Sequence, residues 1–261
     1  MKEAIILKDA VIKAGNVIQK IAENGYAKAE KNNYSPVTDA DIAANKILKE
    51  SLIGFFPDYG WLSEETTDDF SRLEKKRVWI VDPLDGTKEF INGIPEYVVS
   101  VALVENGITI SAAVFNPITQ DLFFSEKNKG AFLNGNRIFC NDTLKSKVEV
   151  LASRSEIKRG DWQFFENCFD VKPMGSIAYK LALIAAGKSD ATFSLEPRSE
   201  WDIAAGVLLV QEAGGIIHDL YKKPFIFNQK NVRVSGIFAC SKSAYPAVMK
   251  NVEPELSVMC L

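Results

Sequence analysis

The run Val81-Asp82-Pro83-Leu84-Asp85-Gly86-Thr87 sets two carboxylates three residues apart and follows them with a glycine and a hydroxyl. Pro83 fixes its own φ, which predicts a rigid turn aiming Asp82 and Asp85 at one point, and Gly86 lets the backbone approach a bound group. With the backbone carbonyl of Leu84 between them, the two acids form a hard-oxygen set suited to Mg²⁺. Asp, Pro and Gly are also the commonest turn formers. A plain turn, however, needs neither the second acid nor a threonine in fixed register. Other acids have ordinary explanations when taken singly. Glu64 and Glu65, in Leu62-Ser63-Glu64-Glu65-Thr66, read as solvated loop carboxylates. Asp202, at the start of Trp201-Asp202-Ile203-Ala204-Ala205-Gly206, reads as an N-cap or helix-dipole partner. Asp41 lies three residues after Thr38 and reads as the acidic member of a capping box, a role compatible with a second one.

The elements that must carry these residues follow from periodicity. Ile6, Ala10, Val11, Ala14, Val17, Ile18 and Ile21 alternate spacings of three and four and stop at Gly25, which predicts an amphipathic helix. A second helix is expected after Ser35-Pro36-Val37-Thr38, with Thr38 as N-cap, ending before Gly54. Strands are expected at Val78 to Val81, Tyr97 to Val104 and Ile108 to Phe115, the last two joined by Asn106-Gly107, a strong hairpin signal. Short runs at Asp121 to Phe124 and Gly130 to Leu133 continue an antiparallel meander. The polar stretch Asn141 to Lys147 reads as a domain boundary. Beyond it, strands at Val148 to Ala152, Ala191 to Leu195 and Ile237 to Ala239 alternate with helices at Asp161 to Asn167, Ile177 to Ala186 and Asp202 to Ala213, a layered sheet with helices on its faces. Lys180, within the apolar helix, reads as structural or exposed.

Composition narrows the function. The chain has 261 residues, 47% of them apolar, enough for a substantial core without staples. With 31 basic against 34 acidic residues it lacks the electrostatic footprint of a nucleic-acid binder. Cys140, Cys168, Cys240 and Cys260 are scattered and His218 is the only histidine, which predicts reduced thiols and no zinc site. The charged N-terminus argues against a secretory signal, and the longest apolar run, Ile203 to Val210, is far short of the roughly 20 residues that span a bilayer. The expectation is a soluble cytoplasmic protein, with peripheral association at the inner membrane left open.

In their order along the chain, Val37-Thr38-Asp39-Ala40-Asp41, Ser63-Glu64-Glu65, Asp82-Pro83-Leu84-Asp85-Gly86-Thr87, Gly175-Ser176 and Trp201-Asp202-Ile203-Ala204-Ala205-Gly206 resemble the motifs of one superfamily. It is the lithium-sensitive, metal-dependent phosphatase superfamily that includes inositol monophosphatase, fructose-1,6-bisphosphatase and 3'(2'),5'-bisphosphate nucleotidase, and the resemblance covers nearly the whole chain. It implies a layered αβαβα sandwich, α+β over residues 1–143 with most metal ligands and α/β over 144–261 with Asp202 and substrate-binding residues. It further implies two to three Mg²⁺ ions that neutralise the ester phosphate and lower the pKa of the attacking water. The first would be held by Glu64, Asp82 and the Leu84 carbonyl, the second by Asp82, Asp85 and Asp202, and a weaker third near Glu64. Asp41, Glu64 and Thr87 would be catalytic, Thr87 orienting the water with Asp41 as its proton-accepting partner. Glu64, Leu84, Asp85, Gly86, Thr87, Ser176, Arg198 and Asp202 would contact substrate.

Within the superfamily, Gly86-Thr87-Lys88-Glu89-Phe90-Ile91 resembles the bisphosphate nucleotidase branch of the CysQ type, where inositol monophosphatases usually carry Thr-Asn-Phe. The segments Val98 to Gly107 and Ala152-Ser153-Arg154-Ser155 point the same way, while Glu156 departs from that branch, which often has histidine there. The implied activity is conversion of adenosine 3',5'-bisphosphate to AMP and phosphate. Inositol monophosphate or fructose 1,6-bisphosphate hydrolysis is the alternative, and a catalytically silent metal-binding regulator is the alternative of another class. The implied partner is a small phosphorylated metabolite and no nucleic-acid polymer, with a homodimer among the open arrangements.

Overall fold

A computed structural model of the chain describes residues 2–30, 36–143 and 146–259, with side chains described up to residue 253. Cys260, Ser35 and part of the expected boundary at 141–147 lie outside the described residues.

Helix α1 (Lys2–Asn24) buries Leu7, Ala10, Val11, Ala14 and Ile18, the one stripe that a 3.6-residue period permits. A small hairpin, β1 (Lys28–Glu30) with β2 (Pro36–Thr38), leads into α2 (Asp39–Phe55), which buries Ala44, Leu48 and Leu52 against α1 and the sheet beneath. That sheet has seven strands in chain order: β3 (Gly60–Ser63), β4 (Arg77–Asp85), β5 (Val98–Glu105), β6 (Ile108–Asn116), β7 (Asp121–Glu126), β8 (Gly130–Leu133) and β9 (Asn136–Ile138). Between β4 and β5 lies the five-residue helix α3 (Thr87–Ile91). All pairings are antiparallel except β3 with β4. Both faces of β4 are buried, with Trp79 and Val81 toward α1 and α2 and Val78 and Ile80 toward the opposite side, so the strand is continuously apolar instead of alternating.

The second half adds β10 (Glu149–Ala152), α4 (Arg154–Arg159), β11 (Asp170–Pro173), α5 (Ile177–Ala185), β12 (Ala191–Ser194), β13 (Arg198–Ser199), α6 (Glu200–Glu212), β14 (Ile216–His218), β15 (Arg233–Val234), β16 (Ile237–Cys240) and α7 (Tyr245–Met259). Five of these strands form a mixed sheet ordered β11-β10-β12-β16-β14. Helices α5 and α6 are sandwiched between the two sheets. Every residue of α5 is buried, and one apolar cluster joins Val78, Ile80 and Val114 to Leu181, Ile184, Val207 and Leu208 and on to Leu151, Ile237 and Ala239. Gly206 allows the close crossing of these helices, since a β-carbon there would sit 2.4 Å from Leu181 Cδ1. On the outer face of the five-stranded sheet, Val248 and Val252 of α7 and the aromatic cluster Trp162, Phe165, Phe169 and Phe193 close a third core. The layers therefore run α1/α2, seven-stranded sheet, α5/α6, five-stranded sheet, α7, which is the expected αβαβα sandwich.

Two local expectations are corrected. Residues Asp82 to Asp85 do not form a free turn: β4 runs through them, and the register with β5 steps from Asp82↔Ser100 to Asp85↔Val98. Pro83 and Leu84 thus oppose the single residue Val99, a bulge, which is where a strand tolerates proline. Residues Asp161 to Asn167 form successive turns instead of a helix; the helix is α4, just before them. Gly160 ends α4 at φ +88°, and Gln163 N–H, Phe165 N–H and Cys168 N–H each return to the carbonyl three residues back. Trp162, Phe165 and Phe169 are all held inward by Phe193, spacings that the aromatic core sets in place of a helical stripe. Cys140, Cys168 and Cys240 are free thiols. Among the described residues no helix is long and apolar enough to cross a membrane.

Candidate active site

Four chain segments deliver acids to one place because of how their elements end. Strands β3 and β4 are parallel with Ser63 opposite Val81, and Glu64 N–H donates to the Val81 carbonyl at 3.2 Å. Glu64 and Asp82 therefore leave the same edge of the sheet side by side. The bulge carries Asp85 to that edge too. Its Oδ2 accepts from Ser176 Oγ at 2.6 Å and from Ala178 N–H at 2.7 Å, so the opening of α5 orients it. Ser176 has φ +55°, unusual for a non-glycine residue; as N-cap it also accepts from Tyr179 N–H at 3.0 Å. Backbone strain of this kind costs roughly 1–3 kcal/mol and persists where surrounding contacts impose it. Asp202 comes from the first turn of α6, where Ser199, not Asp202, is the N-cap and donates its N–H to Asp202 Oδ2 at 2.9 Å.

Asp41 joins the site from α2, with its two carboxylate oxygens engaged on different sides. Its Oδ2 accepts from Thr38 N–H and Thr38 Oγ1–H, each at 2.7 Å, completing the capping box. Its other oxygen, Oδ1, accepts from Thr87 Oγ1–H at 3.0 Å, and the Leu84 carbonyl lies 3.2 Å from the same hydroxyl. A threonine hydroxyl has one proton and two lone pairs. With its proton engaged by Asp41 or Leu84, Thr87 is left to accept from a third group. Gly86 caps α3 at φ +105°, where a β-carbon would come within 2.8 Å of the Glu96 carbonyl, so no other residue suits the approach.

These residues line one cavity of about 380 Å³ that contains Glu64, Asp82, Leu84, Asp85, Gly86, Thr87, Ser176, Arg198 and Asp202. Asp41 stands just behind Thr87. The electrostatics match a site built for cations. Burial, reinforced by Glu64, Asp85 and Asp202, holds the Asp82 carboxyl well above the usual range. Burial pushes Asp202 up to about 7, with Asp85 adding to it, and Asp85 itself up to about 6 despite the hydrogen bonds from Ser176 and Ala178. Carboxylates crowded away from water repel one another until a cation relieves them. The donor set is oxygen only, which fits Mg²⁺ and not zinc. Among the described residues no three acidic, histidine or cysteine side chains already converge at ligating distance; the acids ring the cavity.

The cavity and its surroundings also hold groups that sequence reasoning missed or misplaced. Lys180 is not exposed: it is buried, lines the cavity, and has its ammonium pulled down to about 8 by burial. No described residue forms an ion pair with it. The available signal was a lone lysine in a helix whose every other residue is apolar, since such a helix has no solvent face. Arg198, expected to contact substrate, lines the cavity with its guanidinium already paired with Glu156 and donating from Nε to Ser194 Oγ at 3.0 Å. Arg154, within the segment that suggested nucleotide binding, is ion-paired to Glu96, which also accepts from Gly175 N–H at 2.7 Å. Ser153, Ser155, Glu89, Arg159 and Glu196 complete the rim.

Residues 2–256 match the Inositol monophosphatase family as a whole. The chain is 36% identical over 227 residues to the inositol-1-monophosphatase of Caulobacter vibrioides, covering 83% of this chain and 86% of that one. It is 32% identical over 259 residues to the Nus factor SuhB of Escherichia coli, covering 95% and 94%. Among solved structures, the Thermotoga maritima IMPase superposes with a TM-score of 0.87 at 26% identity over 99% of both chains. CysQ from Bacteroides thetaiotaomicron superposes at 0.77 with 28% identity over 92% of this chain and 97% of that one. The specific CysQ assignment is thus not singled out, and relatives named for inositol monophosphatase or SuhB stand ahead of it. A family match over almost the full length, with the acids of four segments gathered at one cavity in the shared fold, identifies the chain as a member of the inositol monophosphatase family.

Proposed function

We propose that the protein is a Mg²⁺-dependent phosphomonoesterase whose substrate is a small polyol monophosphate of the inositol phosphate kind. The observation that carries the reading is the Thr87 hydroxyl held on Asp41 Oδ1 at the wall of the acidic cavity. Thr87 accepts a hydrogen bond from the attacking water, and Asp41 keeps the threonine proton turned away so that a lone pair faces it. Glu64, Asp82, the Leu84 carbonyl, Asp85 and Asp202 would hold the metal. When bound, Mg²⁺ would neutralise the ester phosphate and acidify the water. Ser176 and Ala178 fix the carboxylate of Asp85, and the Ser199 cap fixes that of Asp202. The polyol choice is supported by the relatives named inositol-1-monophosphatase and by the outer wall, where Arg159 and Arg198 already face carboxylates of Asp161, Glu196 and Glu156.

A second reading, hydrolysis of adenosine 3',5'-bisphosphate, draws on Lys180, a buried cation lining the cavity that a second phosphate would satisfy. A non-catalytic role, which the name Nus factor of one relative would suggest, makes no use of the Thr87–Asp41 pair. Phosphate release with Mg²⁺ from inositol 1-phosphate, fructose 1,6-bisphosphate and adenosine 3',5'-bisphosphate, measured side by side, tests all three. Fastest release from inositol 1-phosphate is expected. A higher kcat/KM on the nucleotide selects the second reading, and no release from any substrate selects the third.

A further inference from the structure

Glu156 is 5% exposed, yet its carboxylate is held from three directions. Oε2 accepts from Trp162 Nε1–H at 3.0 Å, Oε1 accepts from Ser194 Oγ–H at 3.0 Å, and Arg198 closes an ion pair on the same oxygen. Glu156 is also the foremost group acting to keep Lys180 charged. One buried carboxylate therefore pairs with Arg198 and acts on Lys180, cations that also lie within electrostatic reach of Asp202 and Asp85. A charge buried with this many partners does not swing aside to make way for a ligand.

We propose that Glu156 is a specificity-determining residue: it neutralises Arg198 and opposes Lys180, so the site takes a substrate with one phosphate and an uncharged, hydroxylated remainder. This inference rests on the reading of the cavity as a phosphomonoester site. A second phosphate there meets Arg198 already paired with a fixed anion and Lys180 within the field of the same anion, whereas hydroxyl groups find donors and acceptors on the Glu156–Arg198–Ser194 cluster and on Ser155. Glu156→Gln keeps an acceptor for Ser194 and Arg198 and removes the charge. Glu156→Asp keeps the charge and loosens the same hydrogen bonds. A bracing role alone would make the two variants alike.

The test is the ratio of dissociation constants for inositol 1-phosphate and adenosine 3',5'-bisphosphate, measured by calorimetry on wild type and variants, with phosphate release under Mg²⁺ measured in parallel. In Glu156→Gln the ratio is expected to move toward the bisphosphate by on the order of tenfold, as for one unit charge at partly screened range, and to stay near wild type in Glu156→Asp. Arg198→Gln leaves Glu156 opposite Lys180 alone and should move the ratio the other way, so the charge balance is tested even where Glu156→Gln does not fold. An unchanged ratio in folded Glu156→Gln, or equal shifts in the Gln and Asp variants, overturns the inference. A wild type that binds both ligands and releases no phosphate, with the ratio shift intact, overturns the catalytic reading and leaves this one standing; a wild type that binds neither overturns both.

Discussion

Replacing Asp41 by asparagine separates the two jobs its carboxylate performs. Thr38 N–H and Thr38 Oγ1–H both donate to Oδ2, and Thr87 Oγ1–H donates to Oδ1. Asparagine has one acceptor oxygen. The two donors on the Thr38 side outnumber the one on the Thr87 side, so the amide oxygen is expected to face Thr38 and the NH₂ to face Thr87. The hydrogen bond then reverses: Thr87 accepts from the introduced amide and turns its own proton to the Leu84 carbonyl 3.2 Å away, which leaves one lone pair for water but removes the carboxylate that could take up the threonine proton. Misdirecting a positioned acid–base group costs about 10²- to 10⁴-fold in rate, so kcat should fall in that range with KM moved much less. The stability cost is that of weakened charge-assisted hydrogen bonds, about 1–3 kcal/mol, which lowers the melting temperature by some 2–4 °C per kcal/mol in a chain of this size. The control is Thr38→Ala, which removes the cap for roughly 1 kcal/mol and leaves Thr87 on Asp41. Steady-state phosphate release and thermal unfolding on both variants decide the matter. An Asp41→Asn enzyme within threefold of wild-type kcat, or a Thr38→Ala enzyme as inactive as Asp41→Asn, would refute the reasoning.

Asp85→Asn should remove most turnover and weaken Mg²⁺ binding while leaving a folded protein, checked by phosphate release, metal titration and circular dichroism; wild-type-like activity contradicts its assignment as a ligand. The metal-free protein should gain stability as pH falls. Asp202 and Asp85, raised to about 7 and about 6 when folded from a usual 3.8, bind protons in the folded state that the unfolded chain has not yet taken up. Unfolding midpoints in chelator should therefore rise from pH 7.5 to pH 5.5, with Mg²⁺ flattening the trend; a fall over that window contradicts the buried acidic cluster. Gly206→Ala places a β-carbon 2.4 Å from Leu181 Cδ1 and should cost about 1–3 kcal/mol by overpacking, read as a lower denaturation midpoint with kcat little changed.

The long elements were legible in the residues. The stripe of α1, the Thr38 cap of α2, the Asn106-Gly107 hairpin and the buried runs of β4 to β6 each rest on neighbours a few positions away, and each formed where local spacing required. Elements stabilised by distant partners were not. The bulge at Pro83 exists because β5 pairs across it, α4 replaces the expected helix at 161–167 because Trp162 and Phe165 answer to Phe193, and the two-residue strands β13 and β15 have no signature beyond each other.

By itself the sequence determined which acids, hydroxyls and backbone carbonyl the site would be made from, because oxygen chemistry is a property of residue type and because caps and strand ends are local. Only the tertiary structure decided what those groups face. Lys180 reads as an outlier on a helix until two sheets close over it, and Glu156 and Arg198, 42 positions apart, become a pair only when α4 and β13 pack together. Charge neutralisation across such a distance is a property of the folded core, where low polarity makes each partner's position decide the energy of the other.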